Sequence, residues 1–261
     1  MRIDLNADMG EGFGDWRMGD DAALLDVVTS ANVACGAHAG DPEVMAATMA
    51  RARDRVVGIG AHPGFADLQG FGRRRLDLSC EEVANLVAFQ VGAARGVAAR
   101  LGARVRHVKL HGALSNMASE EAELARAAFR GALAVDPEAI LLVIAGTAQE
   151  AAAREIGARW AGEIFADRAY EDDATLTRRG TDGAMIHDPA EAAARMVRFV
   201  RDGAIVSRSG RRVPVACDSI CLHGDGPEAL AIARAVRSAL EGTGITLAPM
   251  EGRVGGTPSA G

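Results

Sequence analysis

Of the six histidines in this sequence, five stand on or just behind short apolar runs: His38, His62, His107, His111 and His223. Only His187 falls in a long loop. Imidazole titrates near neutrality and serves as base, acid or metal ligand, so their common placement points to one chemical site rather than to scattered surface residues. A second set is acidic. Asp4, Asn6 and Asp8 recur at period two, which on a strand puts all three on one face, and Glu11 follows in a glycine-rich turn. Carboxylates gathered in this way coexist only with a cation, a proton or hydrogen-bond donors between them. Lys109 can supply part of that charge, because its spacing from His107 and His111 puts the three on one face. Asp167 with Arg168, and His223 with Asp225, follow two later runs. Taken one at a time, each of these residues also has a structural reading: a satisfied core histidine, a helix cap, a surface ion pair.

The glycine-rich stretches are weaker signals. Gly10, Gly12 and Gly14 follow a strand, but the turn carries Glu11 and Asp15 and lacks the lysine of a phosphate loop. The stretch 70–75, GFGRRR, can hold an anion through backbone amides and arginines, or serve as a surface lid with a charge run.

The elements that must position these residues alternate. Apolar, β-branched runs at 3–7, 31–35, 56–61, 105–110, 140–145, 160–166 and 213–222 are separated by alanine-rich helical periodicity, the pattern of parallel strands joined by crossover helices. Asp41-Pro42 and Ser79 with Glu82 mark helix starts, and Gly102, Gly157, Gly203 and Gly242 mark helix ends. About seven such units without a break in composition predict one α/β domain, a closed or nearly closed β/α barrel over 1–250, in preference to two doubly wound domains. In such a barrel the loops behind the strands build the site, so His38, His62, His111 and His223 converge on one rim. A hairpin is expected over 204–215, turning at Ser209-Gly210, and a disordered tail over 251–261.

Composition narrows the functions. In 261 residues, 49% apolar and 25% charged, the chain can bury a large core, and a net charge of −6 removes the attraction that nucleic-acid and anionic-membrane binders use. The first residues are acidic where a signal peptide is basic and apolar, so a cytoplasmic location is expected. The four cysteines, Cys35, Cys80, Cys217 and Cys221, are too few and scattered for a disulfide framework and read as buried free thiols.

The motifs DLNADMGEG, SANVACGAHAGD, GAHPGFADLQGFGRR, KLHGAL, FADRAY and CLHGDG, in that order, resemble the LamB/YcsF family across residues 2–248. The resemblance implies an irregular barrel of the glycoside hydrolase/deacetylase type. It also implies the A component of an ATP-hydrolysing 5-oxoprolinase, which opens 5-oxoproline (pyroglutamate) to L-glutamate beside two partners, the B and C subunits, with ATP consumed by the complex together with Mg2+. Carried onto this chain, the matching positions are Asp4, Asn6, Asp8, Glu11, His38, Asp41, His62, Arg73, Lys109, His111, Asp167, Arg168, His223 and Asp225. Leu110 and Ser115 stand where the family pattern has proline and tyrosine, which bears on the shape of the pocket beside His111.

Catalytic roles are expected for Asp8, Glu11, His38, His62 and His111, with Asp8 or Glu11 and His62 as the acid/base pair. Substrate binding is expected of Asp4, Asn6, Arg73, Lys109, Asp167, Arg168 and His223, with Lys109, Arg168 and His111 on the substrate carboxylate or oxyanion. Metal ligation stays open. Two alternatives stand beside this reading: a metal-dependent amide or N-acetyl hydrolase without ATP, and a non-catalytic lactam-binding subunit.

Overall fold

The computed structural model describes residues 1–223 and 228–254. Six strands run in chain order around most of a barrel: β1 (Arg2–Met9), β2 (Ser30–Ala34), β3 (Gly58–His62), β4 (Val105–Lys109), β5 (Ile140–Ile144) and β6 (Trp160–Phe165). A short antiparallel hairpin, β7 (Ala204–Val206) with β8 (Arg212–Pro214), precedes the seventh barrel strand, β9 (Ser219–Leu222). β9 pairs in parallel with β6 on one side and β1 on the other, which closes the barrel. A final pair of residues, β10 (Thr246–Leu247), extends the sheet beside the start of β1.

Helices α1 (Asp21–Leu25), α2 (Pro42–Asp54), α3 (Cys80–Arg100), α4 (Gly112–Glu120), α5 (Ala122–Val135), α6 (Ala148–Glu155), α7 (Pro189–Asp202) and α8 (Ala229–Gly242) accompany the strands. Asp41 accepts from the Glu43 and Val44 amides at the start of α2, and Ser79 with Glu82 forms a reciprocal capping box on α3. α3 lies so close to α5 that a Cβ at Gly131 would stand 2.3 Å from the Ala84 carbonyl oxygen, so only glycine admits this approach. No helix among the described residues is long and apolar enough to cross a membrane.

Four local expectations need correction. The run 213–222 is split, because Val213 and Pro214 belong to the hairpin and only Ser219–Leu222 enter the barrel. α8 ends at Gly242 as expected, but the left-handed residue after it is Gly244, with φ +79°. Two of the four thiols are not buried: Cys80 is exposed and Cys217 half-buried. The chain also stays packed beyond 250: Arg253 bridges to the Trp160 backbone and donates to Asp218 at 2.8–3.0 Å, while 255–261 lie outside the described residues. A guanidinium that finds a carboxylate and an indole face holds a segment whose sequence has no periodicity.

Alternation along each strand decides the site. Ile3, Leu5, Ala7 and Met9 of β1 pack into the apolar core, so Asp4, Asn6 and Asp8 face into the barrel.

Candidate active site

The barrel interior is a ladder of polar side chains. At its lower end Asp4 accepts from Thr29 Oγ1 at 2.7 Å and Ser30 Oγ at 2.6 Å, and from the Ser219 hydroxyl. Burial raises its pKa, and the three hydroxyls only partly oppose this. Above it, Asn6 donates to Ser219 Oγ at 2.7 Å and accepts from Asn32 Nδ2 at 2.7 Å. Asn32 Nδ2 also reaches Asp8 Oδ1 at 2.9 Å, and its own Oδ1 accepts from His107 Nε2 at 2.7 Å. At the top, the Lys109 ammonium lies 3.0 Å from Asp8 Oδ1, 2.9 Å from Glu163 Oε1 and 3.2 Å from Asn6 Oδ1. Burial opposes charge on both members of the main pair. Coulombic attraction wins: the His62 and Lys109 charges hold Asp8 well below the usual carboxylate range, and Asp8 and Glu163 hold Lys109 well above the usual lysine value.

Three imidazoles crown this ladder. His62, the last residue of β3, donates from Nδ1 to the Lys109 carbonyl at 2.9 Å and turns Nε2 toward Asp8 Oδ2, 3.2 Å away. His111, just before α4, donates from Nε2 to the Phe71 carbonyl at 2.8 Å, leaving Nδ1 3.0 Å from His62 Nε2. His38 is fully buried and stacks on His111 with ring centres 3.7 Å apart. Burial, reinforced by the neighbouring His62, lowers the His111 pKa to about 3, and burial with the charges of His111 and His62 puts His38 well below its ordinary value. Glu11 Oε1 lies 3.8 Å from His38 Nε2 and 3.9 Å from His111 Nδ1.

The loop behind β3 builds the cover over these rings. Phe71 adopts φ +54°, a strained value for a side chain with a Cβ, and this turns its carbonyl onto His111. Gly72 follows at φ +62°, where a Cβ would come within 2.7 Å of His38 Cβ. Asp67 ties the loop down by accepting from the Arg74 guanidinium and from the Gly70 amide.

Asp8, Glu11, His62, Lys109 and His111 line one side of a cavity of about 690 Å³; Phe165, Arg168, Arg179 and His223 are also in its lining, together with Arg73, Leu110 and Ser115. His223 Nδ1 contacts Asp167 Oδ2 at 2.7 Å. Burial raises the Asp167 pKa, but the His223 and Arg168 charges outweigh it and leave it lowered. Arg168 is 4% exposed, donates to the Thr177 carbonyl at 2.5 Å, and has no hydrogen-bond partner for Nε among the described residues. Burial and the neighbouring Arg179 charge lower its pKa to about 10. A buried guanidinium with donors to spare is a seat for an anion.

Eight of the twelve expected site residues therefore share this cavity: Asp8, Glu11, His62, Arg73, Lys109, His111, Arg168 and His223. Asp167 and His38 stand behind it, against His223 and His111. Asp4 and Asn6 are 1% and 0% exposed at the lower end of the ladder, out of reach of a ligand, so they organise the interior. Lys109 lines the cavity with its ammonium paired to Asp8 and Glu163. Asp41 is a helix cap that also accepts from the Gly14 amide at 2.7 Å, and Asp225 lies outside the described residues. Sequence reasoning missed Asn32 and Glu163. Glu163 is a lone charged residue at an inward position of an apolar strand, and Asn32 follows Ser30 at period two on the inward face of β2, which are the signals that could have found them.

A closed seven-stranded parallel barrel with carboxylates and imidazoles gathered in one cavity is a TIM-like β/α barrel. Its fold is shared, at 10% identity and a TM-score of 0.52, with the catalytic domain of a peptidoglycan N-acetylglucosamine deacetylase from Eubacterium rectale, over 100% of this chain and 94% of that one. The chain belongs to the LamB/YcsF family, whose model matches residues 3–255. It is 58% identical over 250 residues to the 5-oxoprolinase A subunit of Ruegeria pomeroyi, covering 96% of this chain and 99% of the relative. The crystal structure of the lactam utilization protein from Thermus thermophilus is similar at 42% identity and a TM-score of 0.89, over 95% of this chain and 99% of that one.

Proposed function

We propose that this chain is the lactam-handling subunit of an ATP-dependent 5-oxoprolinase, opening 5-oxoproline to L-glutamate together with the B and C subunits in the cytoplasm. The relatives named as the A component of 5-oxoprolinase support the substrate. The observation that carries the chemistry is the pairing of Asp8 Oδ2 with His62 Nε2 at 3.2 Å in a cavity also lined by the buried Arg168.

A lactam amide is a poor electrophile, and its opening requires water to be deprotonated, the ring nitrogen to be protonated and an oxyanion to be held. Asp8 and His62 exchange the protons. Lys109 keeps Asp8 ionised without touching the substrate, and the Asp167–His223 pair faces the same space. Arg168 and Arg73 hold the substrate carboxylate and the developing oxyanion. Nucleotide handling falls to the partner subunits, because this chain has no lysine-bearing glycine loop.

The test is glutamate release by the reconstituted complex. Asp8→Asn and His62→Ala each lower turnover by at least about a hundredfold, the scale of a general acid or base. Near-wild-type turnover in a folded Asp8→Asn variant overturns the assignment. Loss of 5-oxoproline binding in calorimetry, with no separate effect on turnover, would instead favour a non-catalytic lactam-binding subunit.

A further inference from the structure

Backbone carbonyls dictate where protons sit on two of the three clustered imidazoles. The Lys109 carbonyl accepts from His62 Nδ1, and the Phe71 carbonyl accepts from His111 Nε2. A neutral imidazole that donates from one nitrogen presents a lone pair at the other. His62 Nε2 and His111 Nδ1 therefore meet lone pair to lone pair at 3.0 Å, with the Asp8 carboxylate 3.2 Å from the first of them. Three acceptors converging on one point repel each other unless a cation lies among them.

A proton on His62 would relieve that contact but would do nothing for His38. This ring is fully buried, and neither of its nitrogens has a hydrogen-bond partner among the described residues. A buried polar group left in that state is costly, and a nearby ligand site accounts for it. Glu11, His38, His62 and His111 each offer a ligand atom, all four within 4.8 Å of one another and all four residues buried. The carbonyls that hold His62 and His111 are the type of partner that orients metal-ligating histidines.

We propose that Glu11, His38, His62 and His111 form a binding site for one divalent transition-metal ion of the zinc class. Three imidazoles and one carboxylate match the nitrogen and oxygen preference of such ions and exclude the oxygen-only sites of calcium and magnesium. The set is wider than a filled tetrahedral site, in which donors about 2.0 Å from the ion stand about 3.3 Å apart. Capture therefore draws the four donors closer together. The ion and a proton compete for the same nitrogens, so with the ion held the proton-handling role rests on Asp8. A bound ion of this class supplies a Lewis acid for an amide oxygen. The site itself stands on hydrogen-bond geometry and burial, independent of which lactam or amide is the substrate.

The experiment is metal binding by the purified full chain, with no turnover involved. After chelator treatment, the chain is titrated with Co2+ and with Zn2+, followed by absorption of the cobalt complex, by elemental analysis after desalting and by thermal unfolding. We expect one equivalent per chain, visible cobalt bands of a four- or five-coordinate site, and a raised Tm. His38→Ala weakens binding at least about a hundredfold, a loss larger than orienting partners produce. Asp4→Asn, remote from the cluster, retains binding. If His38→Ala does not fold, His38→Gln with its circular dichroism checked serves instead. Sub-stoichiometric metal with no cobalt bands overturns the proposal, as does nitrogen-15 NMR showing a proton on His62 Nε2 that persists in excess zinc. Either result leaves the Asp8-based turnover test untouched, so the two readings fail separately.

Discussion

Lys109 is the residue on which the charge balance of the site turns. It is the cation beside two buried carboxylates, Asp8 and Glu163, and truncating it leaves both uncompensated in a low-dielectric interior. Lys109→Met is expected to destabilise the fold by about 3–5 kcal/mol, the range for removing one partner of a buried ion pair, measured by urea unfolding. A change below about 1 kcal/mol, the range of exposed pairs, would mean the pair is solvated. The variant also changes the acid limb. In the native chain Asp8 is depressed, so its contribution is present above the unfolded carboxyl value and is lost only as pH falls through the lower folded value. Without Lys109 the folded value rises, and that loss begins at higher pH.

His107 also weakens the fold as pH falls, through burial of an imidazole rather than an ion pair. Burial, with the charges of Arg106 and Lys109, lowers its pKa from 6.5 to about 3, so the folded chain holds it neutral where the unfolded chain protonates it. Between those values the unfolded state binds more protons, and stability falls as pH drops, by up to about 1.4 kcal/mol per pH unit for one group. His107→Gln is expected to flatten stability against pH by up to one proton between pH 6.5 and about 3. Identical slopes in the two proteins would show that His107 is protonated in the fold.

At the scale of elements, the strands hold the ladder and the loop behind β3 holds the imidazoles. That loop depends on Gly72, whose φ of +62° and 2.7 Å approach to His38 Cβ leave no room for a side chain. Gly72→Ala is expected to cost at least about 1 kcal/mol from the left-handed backbone alone. It also displaces the Phe71 carbonyl from His111, so the His111 imidazole loses the acceptor that fixes its tautomer. Denaturant unfolding reads the first effect, and nitrogen-15 chemical shifts of His111 read the second. Unchanged His111 shifts would show that the ring is oriented by packing rather than by this carbonyl.

For the whole molecule, closure of β9 onto both β6 and β1 brings chain-distant residues into one cavity: Asp8 from the first strand, Lys109 from the fourth, and Arg168 and His223 from behind the sixth and ninth. The cavity offers carboxylates and imidazoles for amide chemistry, but the chain carries no nucleotide loop of the lysine-bearing type. The isolated chain is therefore expected neither to hydrolyse ATP nor to release glutamate at a useful rate, with both activities appearing once the B and C subunits join it. ATP consumption coupled to glutamate release by the chain alone would refute this division of labour, and the arginine-bearing loop 70–75 would be where to seek the nucleotide.

Much of this was legible in the sequence because it depends on short-range periodicity. Period two along β1 and β4 put Asp4, Asn6 and Asp8 on one face and His107 and Lys109 on another, and alternation of runs and helices implied a parallel barrel with its chemistry behind the strands. Periodicity states which face a residue shares; depth along the barrel and the partner across it depend on register between strands far apart in the chain. Only the tertiary structure therefore decided that Asp4 and Asn6 are sealed beneath the cavity while Asp8 reaches it, and that Lys109 pairs with Asp8 and Glu163. The same holds for His38, which the sequence brings to the rim and the fold buries against His111, because that contact depends on the loop from β3 closing over both rings.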